Sequence, residues 1–111
     1  MSSVEETLVN KSDLVKKAHD EYVSALRMQL SAEADKKTTF ARIKSKVSAQ
    51  PQENGKLPSE AACERVASAS EEYEAVVSRH IECISAQEAA LAKLEQARRE
   101  YDVAMLVQQK V

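Results

Sequence analysis

The stretch Gln50-Pro51-Gln52-Glu53-Asn54-Gly55-Lys56-Leu57-Pro58-Ser59-Glu60 contains both prolines and the one glycine of this 111-residue chain. Proline breaks a helical hydrogen-bond ladder and glycine supplies left-handed backbone. These eleven residues therefore either separate two independent units or form the turn of one, and that choice decides the fold.

On both sides of the stretch the sequence reads as helix. Ala, Glu, Lys, Leu, Val and Gln dominate, aromatic residues make up only 4% of the chain, and there is no Trp. This is the palette of long helices rather than of strands. The reading is an all-α chain with a first helix over about residues 3–49, a turn at 50–58 and a second helix over about 59–109, together one helical-hairpin domain spanning 1–111. Ser3-Val4-Glu5-Glu6 has the spacing of a capping box, although Asn10 and Ser12 offer later starts. Pro58 and Ser59 offer a first-turn proline or a serine cap for the second helix.

Helices of such length must bury an apolar stripe against something, because helical propensity alone does not hold them. In the first, Val4, Leu8, Val15, Ala18, Tyr22, Leu26, Phe40, Ile43 and Val47 recur at spacings that share a face. In the second, Ala62, Val66, Ala69, Tyr73, Val77, Ile84, Leu91, Leu94, Tyr101 and Met105 do the same. Folding the chain back about Gly55 sets these stripes opposite one another. Phe40 then meets Ala69, Ala18 meets Leu91, Val15 meets Leu94 and Leu8 meets Tyr101.

The same register pairs opposite charges along the seam: Lys11 with Glu100, Asp13 with Arg98, Lys16 with Glu95, Arg27 with Glu82, Glu33 with Arg79, Lys37 with Glu72 and Lys46 with Glu64. Glu21 against Glu88 and Lys44 against Arg65 run the wrong way. Between Gln29 and Thr39 the seam of the first helix turns polar, opposite His80, Val77 and Tyr73, and local packing is expected to loosen there. The breakers at 50–60 thus read as the turn of one coiled-coil-like antiparallel hairpin.

Composition also limits function. A net charge of −2 gives no bulk attraction to nucleic acid, and none is expected as a partner. The N-terminus carries acids where a secretion signal carries basic residues, and no run of apolar residues reaches membrane-span length. The expected location is cytoplasmic, where the glycosylation pattern at Asn10-Lys11-Ser12 has no consequence. One glycine cannot build a phosphate-binding loop, and no constellation for nucleophilic or acid–base chemistry stands out.

The nearest approach to a site is Arg79-His80-Ile81-Glu82-Cys83, where His80 and Cys83 share a helical face. Two ligands do not close a zinc site. The expectation is no enzyme activity, no cofactor and no metal, with Cys83 acting as a small apolar residue and His80 at the seam edge. Cys63 and Cys83, about 30 Å apart along one helix, cannot form a disulfide.

Two groups of residues are left over by the hairpin. Val9, Val23 and Leu30, with Leu14 and Met28 nearby, and Val76, Ile81, Val103, Leu106 and Val107 lie off the stripes. They point to a second apolar face, most simply used by a homodimer that completes a four-helix bundle. The second group is basic: Lys36, Lys37, Arg42, Lys44, Lys46 and Lys56, set against only Asp35 and Glu53 in the same span. It could meet an anionic surface, or be neutralised by Glu60, Glu64, Glu71, Glu72 and Glu74 across the hairpin.

The functional expectation is a non-enzymatic protein–protein interaction module, a scaffold-like adaptor, spacer or assembly subunit whose protein partner is unidentified. The competing readings are a membrane-surface binding dimer that uses the basic tip and a small helical secretion chaperone or export-apparatus subunit.

Overall fold

A computed structural model describes residues 3–110. Three helices follow in order: α1 (Ser3–Ser48), α2 (Glu60–Ala69) and α3 (Glu71–Lys110). Among the described residues there is no strand. The long helices α1 and α3 pack against each other as a hairpin, and cross-helix pairs such as Lys11 with Glu100 and Arg79 with Asp35 show that they run antiparallel.

The reversal is built as the sequence predicts, with one change of part. α1 ends at Ser48, and Gln50 N–H donates to the Val47 carbonyl (3.1 Å) just before Pro51 ends helical continuation. Gly55 adopts φ +76°, the one positive φ among the described residues. Asn54 does not share that conformation. Its Oδ1 instead accepts from Lys56 N–H (3.0 Å), while Gln52 N–H donates to the Lys56 carbonyl (2.8 Å) and Gly55 N–H to the Gln52 carbonyl (2.9 Å). Ser59 is the N-cap of α2, its hydroxyl accepting from Ala62 N–H (3.2 Å).

The second helical segment is not continuous. Ser70, at φ −71° and ψ 143°, divides α2 from α3. Its Oγ donates to the Ala67 carbonyl (2.9 Å) and accepts from Tyr73 N–H (3.1 Å), while its own N–H reaches the Ala67 carbonyl (3.3 Å). A serine side chain offers the backbone an alternative to the ladder, and here it closes one helix and caps the next.

This break corrects the expected stripe. Extended backwards from α3, the periodicity puts Ala62, Val66 and Ala69 on the seam. The structure instead buries Cys63 and Ala67, both at 1% exposure or less, and leaves Val66 half exposed. The non-helical Ser70 resets the angular phase, so α2 presents the neighbouring positions. Phe40 accordingly meets Tyr73, with ring centroids 5.2 Å apart, rather than Ala69. The α1 stripe and the α3 part of the second stripe stand, every member being buried or partly buried.

The described residues divide into two compact units, residues 3–28 with 84–110 and residues 29–83. In the first, Ala18, Leu94 and Ala97 form the buried cluster, with Val15 and Tyr22 packed against it. In the second, Ala32, Cys63, Ala67 and His80 are buried. The polar zone after Gln29 is therefore not loose: Ala32 is 1% exposed, and flanking polar groups find partners across the seam.

Candidate functional site

His80, expected at the seam edge, is buried in it. Its Nε2 lies 3.1 Å from Gln29 Nε2. A carboxamide carries a donor on one side and an acceptor on the other, so Gln29 satisfies this ring nitrogen in either tautomer. Cys83 is a free, partly buried thiol, and Cys63, now in a different helix, is a free buried one. Among the described residues, no group of three or more His, Cys, Asp or Glu side chains is placed to hold a metal ion. His80 is thus a buried ring with a polar partner across the seam, and Cys83 a partly buried thiol one turn away.

The basic residues belong to the second unit, and several already face carboxylates. Arg42 pairs with Glu72, and Lys44 with Glu60 (2.8 Å) and Glu64 (3.4 Å). Lys37 pairs with Glu33 one helical turn away (3.5 Å). Lys36, Lys46 and Lys56 make no ion pair within 4.0 Å among the described residues. The hydrogen bond from Lys44 holds the Glu60 carboxyl below its ordinary 4.5, and that same bond raises Lys44 above 10.5.

Several expected charge partners shift by two to five residues. Lys11 with Glu100 (3.4 Å) is as predicted. Arg79 meets Asp35 (2.7 Å) instead of Glu33, Glu72 takes Arg42 instead of Lys37, and Glu64 takes Lys44 instead of Lys46. Glu21, expected against Glu88, reaches Lys93 (3.9 Å). Long side chains span roughly a turn of helix, so sequence register alone does not select which of two neighbouring cations a carboxylate takes.

The leftover aliphatics are largely exposed. Val9, Leu30, Ile81, Val103, Leu106 and Val107 are each at least half exposed, while Val23 and Val76 are partly buried. Leu57, which the stripe analysis did not single out, and Val66, which it placed on the seam, are also exposed large aliphatics. Leu57 sits among turn residues, where periodicity carries no signal, and Val66 is exposed by the phase change at Ser70.

In the first unit these residues sort onto two sides. Val103 and Val107 line an open groove of about 550 Å³ with Val4, Thr7, Lys11 and Ala104. It meets a second hollow at Gln96 and Glu100, lined by Leu14, Ala18 and Ala97. That hollow in turn shares Lys17 and Glu21 with a third, lined by Ala25 and Met28. One continuous trough therefore follows a single side of this unit. Val9 lines a different hollow, with Leu8 and Tyr101. Leu14 and Met28, not Val9, share a side with Val103 and Val107.

Two ion pairs punctuate the trough, Lys11 with Glu100 and Lys93 with Glu21. Glu100 also accepts from Gln96 Nε2 (3.3 Å), and these hydrogen bonds, that from Gln96 first and that from Lys11 second, hold its carboxyl below the ordinary value. Thr7, Lys17, Asp20, Ser24 and Arg99 also line it among the aliphatic side chains, and small Ala18 and Ala97 lie at its floor, both 8% exposed. Such a surface offers shape and apolar area.

No helix among the described residues is long and apolar enough to cross a membrane. Comparison with family profiles, with curated proteins and with solved structures returns no match.

Proposed function

We propose that this protein is a non-enzymatic protein–protein interaction module, an adaptor, spacer or assembly subunit that works through apolar helix faces left outside its own seam. One observation carries the reading: Val103, Leu106 and Val107, within little more than one turn of α3, are 59%, 56% and 50% exposed. Single exposed aliphatics are normal on any surface. Three large ones clustered on little more than one turn of an ordered helix, two of them lining the trough, support a face that meets another protein. The basic residues support a membrane-surface reading less well, because Lys37, Arg42 and Lys44 already face carboxylates of the same chain.

Site-specific photo-crosslinking in cells that express the chain tests the reading. A crosslinker at Val103 should give discrete protein adducts, and one at exposed, polar Glu95 should give few. The adducts should disappear when Leu106 and Val107 are both changed to Glu. Equal, diffuse labelling from both positions, or no protein adduct from either, overturns it.

A further inference from the structure

From the trough along the first unit we infer that its occupant is a second copy of this chain, packed face to face so that two α1 and two α3 segments form a four-helix interface. This rests on the interaction reading above and names the partner.

Surface area carries the first step. The chain exposes 7922 Å². A folded monomer of its 12.3 kDa exposes about 6,100 Å² by the usual scaling of surface with mass, which leaves an excess of roughly 1,800 Å². A standard stable interface removes about 800 Å² from each partner, and obligate dimers remove more. The excess is large enough to supply one side of a stable interface. The small core agrees with this, since the buried cluster of the first unit is Ala18, Leu94 and Ala97.

Self-complementarity carries the second. In a twofold interface the same patch must supply both the projections and the hollows. The trough does so: Leu14, Met28, Val103 and Val107 stand up from it and are exposed, while Ala18 and Ala97 form a low floor. Large side chains of one copy opposite alanines of the other is the interdigitation that helical interfaces use.

Charge carries the third. Lys11 with Glu100 and Lys93 with Glu21 are paired within the chain. Neither pair needs a counter-charge from outside, and the other charged lining residues, Lys17, Arg99 and Asp20, are of both signs, so the face offers its own copy opposite as well as like charges.

Sedimentation equilibrium and light scattering on the purified full chain decide the matter. Wild type should be a dimer at micromolar concentration, with a mass near twice 12.3 kDa. Val103→Glu/Val107→Glu and, separately, Leu14→Glu should weaken the dimer at least tenfold while keeping wild-type helical circular dichroism, because all three side chains are exposed in the single chain. Val9→Glu, on the other side, should leave the dimer intact. A monomeric wild type up to about 100 μM, where specific interfaces are occupied, overturns the inference. So does a dimer that survives both trough variants, or one that Val9→Glu disrupts as strongly. In those cases, discrete adducts from position 103 to a different protein would leave the interaction reading standing and remove only the second copy as its partner.

Discussion

At single residues the fold is held by short polar side chains placed where the backbone needs them. Gly55 carries the turn because its φ of +76° lies where a side chain is strained, even though a Cβ there would meet nothing within 4 Å. Gln29 and His80 form a part-buried polar contact across the seam. Removing one partner strands the other, which costs ~1–3 kcal/mol, whereas replacing both by apolar groups can be nearly neutral. Gln29→Leu and His80→Leu should each lower stability in urea by an amount in that range, and the double variant should recover most of the loss; additive losses would show that the contact contributes nothing. Glu100 makes a pH prediction. Its folded-state carboxyl titrates below the ordinary 4.5, so the stability it contributes is present above that value and is lost as pH falls through the folded pKa. Wild type should lose stability on acidification below about pH 4.5, and Glu100→Gln should flatten part of that slope while leaving the neutral-to-alkaline profile unchanged.

The helices show which parts of the register the sequence could fix. Apolar spacing specified α1 and α3 because both run uninterrupted through their stripes, and the turn was legible because proline, asparagine and glycine have few other uses there. Ser70 was not legible. A serine between Ala69 and Glu71 looks like any surface serine in a helix, and only the structure shows its hydroxyl bonded both to Ala67 and to Tyr73. That local competition rotates α2 so that Cys63 and Ala67, not Val66, enter the core. The trough was half legible for a related reason: distance from the stripe identified Val103 and Val107, but assigning Leu14 and Val9 to opposite sides required knowing how the two helices are rotated about their axes. Ser70→Ala removes the side-chain cap, worth about 0.5–2 kcal/mol. Stability should fall within that range and the Tyr73 amide should lose its protection from hydrogen exchange. If stability rises and protection spreads across residues 67–74, the break is imposed by packing and not by the serine.

For the whole molecule, the turn and the seam make separable demands. Residues 49–57 are exposed throughout, and the few backbone bonds that order them are local. Such a segment opens without disturbing the packed helices. The seam, by contrast, is spread along α1 and α3, from Lys11 with Glu100 to Phe40 with Tyr73. Apart from Lys46 and Lys110 at helix ends, the other Lys and Arg residues lie inside helices, where cleavage requires several turns to unwind, whereas Lys56 lies in the turn. Brief trypsin treatment under native conditions should therefore cut first after Lys56. The two fragments should still co-elute, with helical circular dichroism close to that of the intact chain, because the cut removes connectivity but no seam contact. In urea the nicked protein should then unfold at a midpoint that falls with dilution, since its halves have become separate molecules and their association depends on concentration. A first cut within α1 or α3, or fragments that separate and lose their helicity at micromolar concentration, would mean that the seam is too weak to act without its turn.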